Sequence, residues 1–322
     1  MKLVYGEKFR NITHRKGRIE MGNATWVGQS KGDKIFNAIN TVLIFFILLI
    51  IIYPLYFVVI ASISDAREVL NGRVFLLPKE ANILAYKRVF NHQDIMIGYR
   101  NTIFYTVIGT MINLIMTILA AYPLSRKDFT GRGIITAIFT FTMFFSGGLI
   151  PTYLVVKKLG MINKMWALLI PSAVSTYNII IMRTYFSTSI PYELQEAALI
   201  DGCNNTRILL KIMLPLATPI IAVMILFYAV GHWNSYFSAI IYLTDRKKFP
   251  LQLILREILI QNQIEQLLET TGGDVESIVR QQMMAESLKY AVIVVASAPM
   301  LILYPFLQKY FVRGIMLGAI KG

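Results

Sequence analysis

The sequence predicts an all-α polytopic membrane protein, with six transmembrane helices and a cytoplasmic helix-turn-helix segment. Of the 322 residues, 56% are apolar and 16% are charged, whereas soluble domains average roughly 45–50% and 25%. Uncharged stretches of about 20 residues, the length that crosses a bilayer, recur along the chain. A more polar but helix-rich segment separates the fourth stretch from the fifth. These observations make a soluble enzyme improbable.

Composition also restricts the chemistry of the chain. Cys203 is the single cysteine, which excludes an intramolecular disulfide framework, and three scattered histidines argue against a His-rich metal site. The formal charge is +14. Cationic tails beside apolar spans are typical of the cytoplasmic edges of membrane proteins. We therefore expect anionic lipid, and no nucleic acid, to meet this charge.

Six stretches whose central parts lack charged residues are predicted to span the membrane. They cover about 35–64, 101–125, 133–156, 165–182, 216–243 and 290–311. Prolines within or beside these stretches predict kinks, because proline removes a backbone hydrogen bond. They are Pro54, Pro123, Pro151, Pro171, Pro299 and Pro305.

The distribution of charge predicts the orientation. Residues 1–34 form a tail with eight basic and three acidic residues, which places the N-terminus in the cytoplasm. Six spans return the C-terminal tail, 312–322, to the same side. Lys157, Lys158 and Lys164 then fall in a short outside loop and run against this orientation. Residues 35–322 are read as one membrane domain whose extracellular loop is 244–289.

The polar segment 189–215 is predicted to form two short helices. Pro191 suits a first helical turn, and Gly202 suits a C-terminal cap. Asn205 or Thr206 is the expected cap of the second helix, which ends at Pro215. One face of the first helix carries Leu194, Ala197, Ala198 and Asp201, and the second carries the apolar stripe Ile208, Leu209, Ile212 and Met213.

The spacing in this segment resembles the EAA loop of type I ABC importer permeases. Its defining positions are Glu196, Ala197, Ala198, Gly202, Ile212, Leu214 and Pro215. The resemblance implies a non-catalytic subunit whose EAA helix docks in a cleft of a separate ATPase. Small alanines allow close approach, and Glu196 offers a carboxylate to a basic group.

Two further segments are similar to carbohydrate permeases of the maltose-transporter type, specifically the smaller permease subunit. One is the ending FVRGIMLGAIKG, in which Gly314, Gly318 and Lys321 are expected to touch the ATPase pair. The other is the pair Trp233 and Asn234 in the fifth span. The long basic tail and long outside loop look more like Gram-positive permeases for complex oligosaccharides or polysaccharides.

The resemblance implies a defined set of partners in a bacterial plasma membrane. These are a second homologous permease, two ATP-binding subunits, an extracellular solute-binding protein and a carbohydrate. The chain itself is expected to bind no cofactor, since ATP and Mg belong to the ATPase. Polar and aromatic groups within the spans are candidates for the substrate path: Asn178, His232, Trp233, Asn234 and Tyr236, with Tyr242 nearby. For His232 alone, a hydrogen-bonded packing role is favoured.

Other interpretations stay open at this point. An integral-membrane transferase needs clustered carboxylates, a His pair or metal ligands, and no such motif is visible. A proton-coupled secondary transporter keeps ionisable residues in its spans, where only His232 qualifies. The amphipathic run 251–268 fits either a lid or docking surface, or a helix lying on lipid.

Overall fold

The computed structural model describes residues 30–269, 288–306 and 308, and within them the regular structure is entirely helical. The longer helices are α1 (Lys31–Ser62), α4 (Gln93–Ser125), α5 (Arg132–Phe144), α6 (Leu149–Lys158), α8 (Thr176–Thr188), α12 (Thr218–Trp233), α14 (Leu251–Glu269) and α15 (Leu288–Phe306). The shorter ones are α2 (Ala66–Leu70), α3 (Leu84–Asn91), α7 (Trp166–Leu169), α9 (Glu193–Ile200), α10 (Asn205–Ile208), α11 (Leu214–Leu216) and α13 (Phe237–Tyr242).

The chain divides into two compact units, Met1–Tyr56 and Phe57–Gly322, with the boundary inside α1. In the first unit, α1 begins with a reciprocal cap. The Ser30 amide donates to the Asp33 carboxylate (3.0 Å) and the Asp33 amide donates to the Ser30 hydroxyl (3.1 Å). This pairing satisfies two backbone donors that a helix start otherwise leaves open.

In the second unit, α4 is the central helix, and α8, α12 and α14 pack against it. Its buried face carries small or polar residues at three- and four-residue spacing: Thr102, Thr106, Gly109, Thr110, Asn113 and Thr117. Such residues let helix backbones approach closely inside a membrane and form hydrogen bonds between helices. The Thr117 and Tyr228 hydroxyls are 2.6 Å apart, which joins α4 to α12.

The membrane-spanning helices agree only in part with the six predicted spans. Among the described residues, α1, α4 and α15 are long and apolar enough to cross a bilayer. Two bent pairs raise the number to as many as five when each pair is taken as one span. In the first pair, α5 and α6 meet at 111°. In the second, residues Asn205–Leu216 and Thr218–Trp233 meet at 82°.

The fourth predicted span, 165–182, is not one continuous helix. It consists of α7 and the start of α8, with a break from Ile170 to Ser175. Pro171 lies in this break, where it has no backbone amide to continue the helical hydrogen bonds of α7. Ser175 then caps α8 by accepting from the Asn178 amide (3.4 Å).

The fifth predicted span, 216–243, is also interrupted. α12 ends at Trp233, and α13 begins only at Phe237. The Asn234 side chain donates to the Val230 carbonyl (2.9 Å), so it occupies an acceptor of the last helical turn. The Asn234 backbone amide donates to the same carbonyl (3.1 Å), so both nitrogens of Asn234 cap the last turn of α12.

Candidate functional site

The first helix of the segment 189–215 ends in a tight reversal. The Cys203 amide donates to the Ala198 carbonyl (2.9 Å), and the Gly202 amide donates to the Leu199 carbonyl (3.0 Å). Gly202 has φ +73°, in the left-handed region that glycine adopts without steric cost. This pair of bonds is the Schellman arrangement that closes a helix C-terminus. α9 therefore stops where the sequence predicts.

The second helix starts one residue earlier than predicted. Asn204, rather than Asn205 or Thr206, is its cap, because the Asn204 side-chain oxygen accepts from the Arg207 amide (2.9 Å). A π-helical turn, Leu209–Met213, follows α10. Ile208, Leu209 and Met213 are buried, as the apolar stripe predicts.

α9 has one buried face and one exposed face. Gln195 and Ala198 are buried against the rest of the protein, and Ala198 joins a core that includes Phe186 of α8. The opposite face is exposed and carries an apolar residue, Ile200, which is 86% exposed. Leu194, four residues before Ala198, lies at the edge of the buried face and is 41% exposed. Ala197 and Glu196 are also exposed. The two alanines therefore differ in burial, because Ala197 lies about 100° around the helix from Ala198. Of the four residues predicted to share one face, Ala198 is buried, whereas Leu194, Ala197 and Asp201 are exposed.

Arg126, at the end of α4, holds the second helix of this segment. Its guanidinium donates to the Asn205 side-chain oxygen (2.6 Å) and to the Tyr122 hydroxyl (3.1 Å). It also makes two bonds to the Asp128 carboxylate (2.8 and 2.6 Å). Arg126 is only 6% exposed, so these partners replace the water that a buried charge requires.

The electrostatics of this cluster favour permanent charge. Hydrogen bonding from Arg126 holds the pKa of Asp128 below its ordinary value. The bond to Asp128 in turn raises the pKa of Arg126. The pair is therefore ionised throughout the physiological range. The sequence shows Arg126 in a short basic turn with Lys127 and Arg132, which is typical of a cytoplasmic loop but assigns the side chain no contact. The available signal was an arginine directly after a long apolar helix, at the start of an Arg-x-Asp pattern formed with Asp128.

The candidate substrate-path residues do not form one cavity. His232 is buried in the α4–α12 interface, where its Nε2 lies 2.6 Å from the Asn113 side-chain oxygen. Asn113 also donates to the Ser172 carbonyl. Trp233 is buried as well, and its indole donates to the Ala296 carbonyl (3.0 Å).

The remaining path candidates lie apart from these two. Asn178 is buried on α8, whereas Asn234 and Tyr236 are exposed. The Tyr236 ring lies 5.6 Å from the Arg256 guanidinium. Tyr242 stacks on Tyr153, with ring centroids 6.2 Å apart. Gly314, Gly318 and Lys321 lie outside the described residues, as do 270–287 of the predicted extracellular loop.

The start of the amphipathic run is part of the protein core. Leu251, Leu253 and Ile254 are each at most 3% exposed. The Leu251 amide donates to the Thr102 hydroxyl (2.8 Å), which fixes α14 to α4. Among the described residues, no group of three His, Cys, Asp or Glu side chains has a metal-binding arrangement.

Comparison with known proteins gives consistent matches. Residues 95–317 match the family described as "Binding-protein-dependent transport system inner membrane component". Protein LplC of Bacillus subtilis is 39% identical over 293 residues, which are 91% of this chain and 97% of that protein. The polygalacturonan/rhamnogalacturonan transport system permease protein YtcP of the same organism is 42% identical over 275 residues, 85% and 94% of the two chains.

A solved structure is also similar. It is a crystal structure of a bacterial ABC transporter involved in the import of the acidic polysaccharide alginate. The matched chain is 37% identical, with a TM-score of 0.78, and the match covers 88% of this chain and 98% of the other.

Proposed function

The chain belongs to the family of binding-protein-dependent transport system inner membrane components, and from that premise we propose that it imports acidic oligosaccharides. As a member of this family it is a membrane-embedded permease subunit and not an enzyme. ATP hydrolysis belongs to separate ATPase subunits. The proposal concerns three things: the substrate, the role of residues 189–215, which we call the coupling segment, and the assembly.

Two similarities support an acidic substrate. YtcP is named for polygalacturonan and rhamnogalacturonan transport, and the similar solved structure belongs to an alginate importer. All three are polymers that contain uronic acids. We propose that this chain handles fragments of such polymers and forms half of the translocation path beside a second, homologous permease.

The exposed face of α9 is the observation that supports a coupling role. Ile200 is 86% exposed, although the opposite side of the same helix is in the core. An apolar group presented beside the exposed Glu196 fits a cleft on another subunit better than it fits water. Here the segment 189–215 transmits ATPase closure to the bundle. Such a device works only if the ATPase contacts differ between the two transport states.

The proposed assembly contains this chain, the second permease, two ATP-binding subunits and an extracellular solute-binding protein. Both termini are cytoplasmic in this proposal, which puts 189–215 on the ATPase side. ATP and Mg bind only to the ATPase subunits. The C-terminal residues Gly314, Gly318 and Lys321 then approach the ATPase pair as well.

An assembly experiment tests the coupling role. Ile200→Asp introduces a charge into the proposed contact without touching the buried face of α9. We expect co-purification of the ATPase and binding-protein-stimulated ATP hydrolysis to fall at least tenfold, since an unpaired buried carboxylate is costly.

Leu84→Asp is the matched control. Leu84 is an exposed leucine (58%) on α3, another eight-residue helix. This variant should assemble and hydrolyse ATP like the unchanged complex. If Ile200→Asp also retains the ATPase and full stimulation, α9 is not the coupling contact.

A further inference from the structure

A cavity of about 490 Å³ opens at the end of α4 opposite the coupling segment. Its lining combines basic, amide and aromatic side chains, without a carboxylate among the described residues: Arg100, Asn101, Phe104, Tyr105, Asn163, Lys164, Met165, Trp166 and Lys248. Pockets of 300–1,000 Å³ accommodate small organic ligands. The volume therefore suits one or two sugar rings.

Hydrogen bonds between loops fix the floor of this cavity. Asn163 has φ +59°. Its side-chain oxygen accepts from the Asp245 backbone amide (3.0 Å), and its backbone amide donates to the Tyr242 carbonyl (2.8 Å). The Asn101 side chain donates to the Lys247 and Phe249 carbonyls (2.8 and 3.0 Å). A floor held in this way needs little reorganisation when a ligand binds.

Lys248 is positioned by the same loops. Its ammonium donates to the Asn163 carbonyl oxygen (3.0 Å) and pairs with Asp245 (3.2 Å). Tyr105, in turn, donates to the Lys248 carbonyl (2.9 Å). Asp245 therefore offsets the charge of Lys248, while Asp245 itself lies outside the lining.

Two other basic groups of the cavity carry uncompensated charge. Arg100 and Lys164 are exposed, and neither makes an ion pair or side-chain hydrogen bond within the described part of the chain. The neighbouring Arg246 differs, because Asp94 (2.8 Å) and Glu257 (3.2 Å) pair with it. The cavity thus has a net positive charge, with Trp166 and Phe104 as flat apolar surfaces beside it.

The position of the cavity relates it to transport. Arg100 precedes Tyr122 by 22 residues of continuous helix, about 33 Å at 1.5 Å per residue. This distance is close to the ~30 Å thickness of the hydrocarbon core. Because the proposed coupling segment contacts the Tyr122 end, the cavity opens at the extracellular face. Basic residues are not expected on the extracellular face, and a role in binding an anionic ligand accounts for them.

We propose that this cavity is an entry subsite that binds a uronate residue of the incoming oligosaccharide. The carboxylate pairs with Arg100 and Lys164, the sugar ring packs on Trp166, and Lys248 donates a hydrogen bond. The Asn101 side-chain oxygen accepts from a sugar hydroxyl, because the Asn101 amide hydrogens are already donated to the Lys247 and Phe249 carbonyls. Charge-assisted bonds of this kind favour a carboxylate over a hydroxyl. The inference rests on the acidic substrate class proposed above and assigns it a site on this chain.

Direct binding to the assembled complex tests the subsite. The purified complex, without its solute-binding protein, is titrated with trigalacturonate and with the fully methyl-esterified trimer by calorimetry. We expect the complex to prefer the acid over the ester. The double variant Arg100→Gln/Lys164→Gln should bind the acid at least tenfold more weakly, with little change for the ester.

The matched control is Lys87→Gln/Arg88→Gln, which removes two exposed basic residues of α3 outside the cavity. It should bind both trimers as the unchanged complex does. Equal affinity of the Arg100/Lys164 variant and the unchanged complex for trigalacturonate would overturn the subsite. The subsite would also be overturned if the variant binds trigalacturonate normally and loses only its binding to the solute-binding protein. The charges would then serve to bind an acidic protein surface.

Transport in proteoliposomes separates this inference from the proposed function. If the complete system imports trigalacturonate while the variant binds it normally, the function stands and the subsite is wrong. If trigalacturonate binds through Arg100 and Lys164 but is never imported, the subsite stands and the proposed substrate is wrong.

Discussion

The Arg126 guanidinium lies 2.6 Å from the Asn205 side-chain oxygen, and this bond joins the first residue after α4 to the first residue of α10. Both elements belong to the second unit, but 79 residues separate them in sequence. Because α4 is the central helix of this unit, the bond ties segment 189–215 to the bundle through a short, partly buried connection.

Arg126→Gln and Asn205→Ala should therefore have non-additive effects. Each variant removes the same charge-assisted bond, and bonds to charged groups contribute roughly 1.5–3 kcal/mol. We expect a coupling energy of about 1–2 kcal/mol in a double-mutant cycle on the unfolding of the purified complex. Lys211→Gln, at an exposed position of the same segment, is the control and should leave unfolding unchanged. If the two changes in unfolding free energy simply add, the bond contributes no coupling energy between these residues.

Gly202→Ala should weaken the reversal after α9. No atom lies within 4 Å of the added methyl group, so the cost comes from φ +73° alone. A left-handed conformation costs a non-glycine residue about 1–2 kcal/mol. We expect reduced ATP-stimulated transport, with a smaller loss for Gly202→Asn. Gly133→Ala, also without a neighbouring atom but with an ordinary helical φ, should transport normally. Equal transport by all three variants would contradict the role of the backbone.

Gly109→Ala should disrupt the packing of α4 on α12. The added methyl group would overlap the His232 imidazole, which cannot easily turn away because it is buried and hydrogen-bonded to Asn113. Overpacking of this kind typically costs 1–3 kcal/mol. Thermal unfolding of the complex should therefore begin at a lower temperature.

Gly231→Ala is the matched control for this change, because it adds the same methyl group next to His232 in sequence but meets no neighbouring atom. Combining Gly109→Ala with His232→Ala should recover part of the lost stability, since the smaller side chain leaves room. A combination less stable than either single variant would argue against steric overlap.

Because of the Arg126–Asp128 pair, we expect the stability of the folded protein to depend slightly on pH in the acidic range. The pKa of Asp128 is lower in the folded protein than in the unfolded chain. Its contribution is therefore complete above the ordinary carboxyl pKa and is lost as the pH falls through the lowered value. The Asp128 side chain is 51% exposed, so the contribution is at most about 1 kcal/mol. The difference in unfolding temperature between the unchanged protein and Asp128→Asn should be constant from pH 5 to 7 and shrink below about pH 4. A difference that grows in acid would contradict this sign.

The sequence predicted the local structure of the coupling segment well, because caps and turns depend on residues close together in the chain. Gly202 specifies a helix end by backbone chemistry alone. Pro191 and Pro215 were placed less well: Pro191 lies two residues before α9, and Pro215 lies within α11 and does not end the helical segment. The continuous fourth span was wrong for the converse reason. A kink at Pro171 was predicted, but the full break from Ile170 to Ser175 and the Ser175 cap that begins α8 were not. The Arg126 contacts and the cavity beside Arg100 were not predictable either, since each depends on loops distant in sequence.

The corner between α5 and α6 limits what surrounds this chain. From Phe145 to Gly148 the backbone leaves the helix within an apolar stretch, and the side chains from 141 to 150 are all exposed. Peptide groups without helical partners are not tolerated against acyl chains. Within a bilayer, that corner requires contact with a neighbouring subunit or with water, so this flank of the isolated chain cannot face lipid.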